Sequence, residues 1–225
     1  MEILYADDDV VAVSKPPGLA VHRGWDRSRD VALTRVRDAV GRHVWPAHRL
    51  DRPASGVLLF AVEREAARAL YQMFADGAVQ KRYLALVRGC APEEGIIEHP
   101  LRRTRDGPRL DASTAYRRVA LVERPDLPRA YSLVEARPRT GRLHQIRRHF
   151  QHISHPLIGD VRYGKGEHNR LFRERFGLQR LFLHACELGF RHPRTGEPVV
   201  VRAPLADDLR CVLEALGLSL ADLPL

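Results

Sequence analysis

The residues able to do chemistry gather in a few short segments, and the densest is His48-Arg49-Leu50-Asp51-Arg52-Pro53-Ala54-Ser55-Gly56. It sets one carboxylate between two arginines in a turn-like stretch that runs into the apolar string VLLFAV. Positive charge on both sides favours the ionised form of an acid, which suits Asp51 to work as a nucleophile or a base. The same string also serves a surface ion pair or a turn-stabilising hydrogen bond, and residue types alone leave both readings open. A second segment runs from Arg139 to Arg147 as RTGRLHQIR. Arg142 falls where a helix beginning near Leu143 presents the positive end of its dipole, an unfavourable place for a cation without an anionic partner. His144, His149, His152 and His155 are partly spaced by three, which on a helix puts imidazoles on neighbouring turns as a metal hydrolase could use them. No H-E-x-x-H occurs, and His155 precedes Pro156, where helix is disfavoured. The interleaved Arg147 and Arg148 point to phosphate contact, so no metal site is expected.

These segments need elements to hold them. Segments 2 to 5 and 9 to 14 predict an opening hairpin, after which Lys15-Pro16-Pro17-Gly18 forces a turn or extended loop. The apolar spacing from Val31 to Val40 predicts a short helix ended by Gly41, and Trp45-Pro46 closes that unit. Val57 to Val62 has strand length, and Glu63 to Ala75 carries a helical stripe of Ala66, Ala67, Leu70, Met73 and Phe74. Further strands are expected at Tyr83 to Val87, Tyr131 to Ala136, Leu181 to Phe190 and Val199 to Val201. A helix is expected over RLHQIRRHFQHI, with Leu143, Ile146, Phe150 and Ile153 on its apolar side, and another from about Ala206 to Leu216. Strands outnumber helices without alternating with them, which predicts an α+β fold with a mixed, largely antiparallel sheet and flanking helices and loops. Residues 102 to 113 and 162 to 177, rich in Arg and Gly, read as polar insertions with little packing and as candidate binding loops.

Four ordered segments resemble the RluA-type pseudouridine synthases: His48 to Gly56; Lys81, Tyr83, Ala85, Val87 and Gly89; Arg139 to Arg147; and His155-Pro156-Leu157-Ile158-Gly159-Asp160 with Tyr163-Gly164. The opening VVAVSKPPGLAVHRG is similar to that family's N-terminal segment, so the likeness runs from Ile3 to about Pro204, with Ala54 where many members have Thr. The resemblance implies the pseudouridine synthase fold and the isomerisation of uridine in RNA to pseudouridine. In that reaction the N1 to C1′ bond breaks, the uracil turns and its C5 joins the same sugar carbon. A glycosidase needs an acid as well as a nucleophile. Uracil carries negative charge in N1 and its carbonyls, so a single carboxylate can suffice. By the resemblance that carboxylate is Asp51, with attack on sugar or base, or proton abstraction, all open to it. It also implies that Arg142 pairs with Asp51 and that Tyr83, a residue type that on a strand more often packs a core, stacks near the uracil. Arg49 is implied to enter the space left by the flipped nucleotide, whose extrusion costs a few kcal/mol. Arg52, His144, Gln145, Arg147 and Arg148 complete the expected RNA-binding set.

The 225 residues carry 37 Lys+Arg against 28 Asp+Glu, a formal charge of +9 that suits a polyanionic partner without establishing one. Cys90, Cys186 and Cys211 are few and scattered, which suggests neither disulfides nor a cysteine zinc site and fits a cytoplasmic protein. No stretch approaches the ~18 apolar residues of a membrane span. The expectation is a single catalytic domain over residues 1 to 225 with no separate N-terminal RNA-binding domain. It acts on RNA, with tRNA the favoured class, and with no cofactor, no membrane and no implied protein partner. His22-Arg23-Gly24-Trp25 and Arg175 to Ala185 resemble the subgroup that modifies tRNA at uridine 65.

Overall fold

The computed structural model describes residues 1–23, 30–104 and 106–219, so Gly24, Trp25 and Arg105 lie outside the described residues. In chain order its elements are β1 (Ile3–Ala6), β2 (Val10–Lys15), α1 (Ala32–Val40), β3 (Trp45–Pro46), β4 (Ser55–Ala61), α2 (Arg64–Ala75), β5 (Gln80–Arg88) and β6 (Glu94–Glu98). They continue as β7 (Leu101–Arg102), β8 (Arg109–Leu110), β9 (Ser113–Val122), β10 (Tyr131–Pro138), α3 (Gln145–His152), α4 (Gly166–Phe176), β11 (Leu183–Arg191), β12 (Pro198–Arg202) and α5 (Asp207–Ala215). The chain divides into two compact units, Met1–Lys81 with Ala185–Pro204, and Arg82–His184 with the chain from Leu205 on. No described helix is long and apolar enough to cross a membrane.

In the first unit β1 and β2 form the expected hairpin. Its turn is closed by Asp7, whose Oδ1 accepts the backbone N–H groups of Asp9 and Val10 at 2.9 Å. β2 pairs antiparallel with β4 from Val10 opposite Ala61 to Lys15 opposite Gly56. Trp45-Pro46, read from sequence as the end of the preceding unit, instead forms the short strand β3 against Ala61 and Phe60 of β4. β11 flanks β4 and pairs antiparallel with β12. All seven residues of β4 are buried, which explains a continuous apolar string in place of alternation: the strand is covered on both faces. α2 lays Ala66 and Leu70 over Val57, Leu59, Val79 and Leu188. α1 buries Ala32 and Val36 and stops at Gly41, whose left-handed backbone lets its N–H return to the Arg37 carbonyl.

In the second unit β5, β10, β9 and β6 lie side by side, each pair antiparallel. β6 and β9 were not expected: the paired arginines at 117 and 118 interrupt the apolar pattern of β9. Two readings of the polar insertions are corrected. Within 102–113 lies a small hairpin, Leu101 opposite Leu110 and Arg102 opposite Arg109, and Arg148 of α3 donates to the Arg102 carbonyl at 2.8 Å. Residues 166–176 are not a loop but α4. Its Phe172 is fully buried, packs edge-on to Tyr131 at 4.8 Å and joins a core with Leu84, Leu133, Phe182, Leu209 and Leu213. α5 supplies the last two of these, and Asp207 and Asp208 favour its N-terminus.

Candidate active site

Asp51 sits in the first unit, in the loop before β4, half-buried, with Arg49 and Arg52 exposed on either side. That loop is anchored at several points. The backbone N–H of Leu59 donates to Nε2 of His48 at 3.2 Å, and the His48 ring stacks on Phe74 with centroids 4.9 Å apart. Desolvation and the neighbouring Lys81 ammonium push the His48 pKa down to about 3, which keeps the Nε2 lone pair free to accept. Lys81 itself is pushed down to about 8 by burial. Next, Lys15 at the end of β2 has 0% exposed surface, and its ammonium donates to the carbonyls of Pro16 (2.8 Å), Leu19 (2.9 Å) and Arg52 (3.3 Å). Gly18 N–H donates to the Arg52 carbonyl and Arg52 Nε to the Gly18 carbonyl, both at 2.8 Å. These bonds fuse the Lys-Pro-Pro-Gly turn to the Asp51 loop. Ala54 N–H returns to the Asp51 carbonyl at 3.0 Å, and a Cβ on Gly56 (φ +112°) would lie 2.1 Å from the Ala185 carbonyl oxygen, so only glycine lets the chain leave the loop into β4.

Tyr83 and Arg142 belong to the second unit. Tyr83 is half-buried on β5, opposite Ala136 of β10. Arg142 is exposed, and its Nε donates to the Asp111 carbonyl at 3.0 Å. The helix starts at Gln145 and not near Leu143, which places Arg142 ahead of the first turn and leaves Leu143 45% exposed instead of in the core. What holds Arg142 is its backbone N–H, which donates to Gln145 Oε1 at 3.0 Å. His144 between them adopts a left-handed conformation (φ 53°), uncommon outside glycine, and its Nδ1 meets Tyr163 Oη at 3.1 Å. Tyr163 in turn lies beneath the guanidinium of Arg147, 5.1 Å from the ring centroid. Arg147 makes a buried two-pronged pair with Asp160, Nε to Oδ2 at 2.7 Å and Nη2 to Oδ1 at 2.9 Å. Asp160 Oδ1 also accepts the N–H groups of Arg162 and Tyr163, and these donors hold the Asp160 carboxyl below its usual range against the opposing effect of burial.

Residues 9–152 match the sequence profile of a family described as RNA pseudouridylate synthase. The chain belongs to this family. It is similar to the tRNA pseudouridine synthase C of Vibrio cholerae serotype O1, 43% identical with 96% of each chain covered. The protein of the same name in Haemophilus ducreyi is 41% identical, covering 99% of this chain and 98% of its own. Among solved structures, the human RNA Pseudouridylate Synthase Domain Containing 4 shares the fold, with a TM-score of 0.77 over 97% of this chain and 94% of that one at 23% identity.

In this pseudouridine synthase the residues expected to bind RNA fall into two groups. Arg49 and Arg52 are exposed, and His144 and Arg148 are half-buried. Gln145 and Arg147 are 5% and 6% exposed and bond inward, Gln145 to Ser113, Thr114, Thr140 and Arg142, Arg147 to Asp160. Each of the histidines has a partner within the protein: His144 meets Tyr163, His149 Thr114 and the His99 carbonyl, His152 stacks on His99, and His155 bonds the Arg88 carbonyl. Among the described residues the one group spaced to hold a metal is Asp7, Asp9 and His192. Its oxygens already face protein donors, Asp7 receiving Tyr5 and His192, and Asp9 receiving Arg194 at 2.6 Å. Sequence reasoning passed over Lys15, whose signal was a lysine closing a mostly apolar strand, and gave no role to Asp160 or Tyr163 beyond their place in a motif.

Proposed function

We propose that this pseudouridine synthase acts on tRNA at uridine 65, with Asp51 as its catalytic carboxylate. The observation that carries the tRNA reading is the extent of likeness to synthases named for tRNA, 41% to 43% identity over nearly the whole of both chains. In the reaction the target nucleotide is flipped from its stack, the N1–C1′ bond breaks and the C5–C1′ bond forms. C5 gives up its proton and N1 gains one, so atoms and electrons balance without a cofactor. Asp51 is the acting carboxylate, Arg142 supplies its counter-charge, Tyr83 stacks on the uracil, and Arg49 fills the vacated position. Support for Asp51 lies in its rigid loop: catalytic groups gain most when their geometry is fixed in advance, and Lys15, His48 and Arg52 fix this one. Arg49, Arg52, His144 and Arg148 contact the RNA, whereas Gln145 and Arg147 serve by holding the Arg142 segment.

Residues 1–225 work as one catalytic domain whose own arginines dock the RNA, in the cytoplasm, where the free cysteines stay reduced. Mapping pseudouridine in RNA from cells with and without the gene tests the assignment. The expected result is loss of one tRNA pseudouridine, at position 65. Loss confined to ribosomal RNA, with tRNA unchanged, would overturn the choice of substrate.

A further inference from the structure

We propose that Thr114 and His149 are positioning residues for the isomerisation, the core of a buried hydrogen-bond relay that fixes the Arg142 backbone to β9 and to the connection between β6 and β7. The inference rests on the reading of Arg142 as a catalytic partner and extends it to side chains that touch no substrate.

Every proton in the relay can be placed. His149 has 0% exposed surface; its Nε2 lies 3.1 Å from the His99 carbonyl, which can only accept, so Nε2 carries the proton. Nδ1 is then an acceptor, and Thr114 Oγ1, also with 0% exposure and 2.9 Å away, donates to it. With its proton so used, Thr114 Oγ1 accepts from Gln145 Nε2 at 2.9 Å, and the second Nε2 proton goes to the Ser113 carbonyl at 3.0 Å. Gln145 Oε1 is left as a pure acceptor for Thr140 Oγ1 at 2.6 Å and for the Arg142 N–H at 3.0 Å. Thr140 Oγ1 finally accepts the Ser113 N–H at 3.2 Å.

The relay has one polarity, running from Arg142 to the root of the hairpin at His99. Burial pushes His149 down to about 4 and so keeps the neutral ring this polarity requires. A protonated His149 would face the Thr114 hydroxyl with a second donor and reverse it. The hydrogen bond to the His99 carbonyl opposes this downward shift, and the like charges of the His99 and His152 rings and of Arg148 add to it. A buried polar chain costs more than an apolar core unless its members are satisfied, and each relay atom named above has its partner, although the Ser113 hydroxyl beside them has none. What the fold gains is a fixed place for the residue that precedes Leu143 and His144, where nothing helical yet constrains the chain.

The test is kcat and KM for tRNA isomerisation in wild type, Thr114→Val, Thr114→Ser and Arg142→Ala, with thermal unfolding measured for each. Thr114→Val keeps the shape and removes the hydroxyl. A displacement of about 1 Å at a catalytic group lowers kcat by roughly 100-fold, so the expected loss is about 10- to 100-fold. KM should stay within about twofold, because ground-state RNA binding is untouched. Thr114→Ser recovers most of the loss. An unchanged kcat in Thr114→Val beside an impaired Arg142→Ala overturns the relay alone. A raised KM with kcat intact, or no recovery in Thr114→Ser, overturns it too. Wild-type activity in Arg142→Ala instead overturns the reading on which the relay rests. Should Thr114→Val not be folded at the assay temperature, Gln145→Glu replaces it: the carboxylate still accepts from Arg142 and Thr140 but cannot donate to Thr114. The same loss of kcat is then expected, and its absence overturns the relay.

Discussion

A lysine with no exposed surface must have its charge answered by oxygen, and Lys15 has the carbonyls of Pro16, Leu19 and Arg52. Replacing it by Met keeps the length of the side chain and takes the ammonium from all three carbonyls, of which that of Arg52 keeps the Gly18 N–H. Lost charge-assisted bonds and orphaned acceptors are worth roughly 2–4 kcal/mol together, so Lys15→Met should unfold at clearly lower urea. It should also lose kcat, since the Arg52 carbonyl it holds is one residue from Asp51. A midpoint and turnover like those of wild type would show that the turn is not held by Lys15. At this scale the sequence was informative where a segment is closed by its own neighbours, as where Ala54 N–H returns to the Asp51 carbonyl. It was uninformative where a partner is remote: Lys15 reaches Arg52 across 37 positions, and nothing local marks the pair. The inward turn of Gln145 and Arg147 was hidden for the same reason, because Thr114 and Asp160 complete them from other segments.

Elements with a clean period were legible: the β1–β2 hairpin, α1 with its terminal glycine, β4, α2 and α5 all lie within a residue or two of their expected bounds. α4 was not, because its sequence GEHNRLFRERF shows three apolar residues among charges and opens on glycine. Tertiary packing decides it, through Phe172 against Tyr131 and a hydrogen bond of 2.7 Å between Tyr131 Oη and His168 Nδ1. Phe172→Ala should therefore cost about 3–5 kcal/mol, the range of buried aromatic truncations, where a binding loop would lose almost nothing. Urea unfolding distinguishes the two, and a loss under about 0.5 kcal/mol, the size of a surface effect, would return this stretch to a loop. The hairpin β7–β8 keeps exposed arginines and stays a candidate RNA-docking element. The affinity of single-stranded RNA changes with a logarithmic salt slope of about −0.7 per phosphate neutralised. Arg103→Ala with Arg109→Ala should flatten the slope for tRNA by about 0.7 for each phosphate no longer neutralised. A slope equal to wild type would remove the hairpin from the docking surface.

For the whole molecule, the buried neutral histidines set the acid side of stability. His48 and His149 are pushed down to about 3 and about 4 from 6.5, and burial lowers His99 and His168 in the same direction. Below pH 6.5 the unfolded chain takes up protons that the folded chain refuses until its own lower pKa values are reached. Stability is therefore full above that pH and falls as pH drops through the window. The urea midpoint should be lower at pH 5 than at pH 7, and equal midpoints would contradict a neutral core. The net charge of +9 suits association with RNA and says nothing of the reaction, for which Asp51 is the proposed carboxylate. The most direct test incubates a tRNA transcript with purified wild type and with Asp51→Asn, maps pseudouridine by carbodiimide modification and measures RNA affinity in parallel. The expected result is pseudouridine at position 65 with wild type, none with Asp51→Asn, and affinities within a few fold of each other. Substantial turnover by Asp51→Asn would contradict the assignment of this carboxylate.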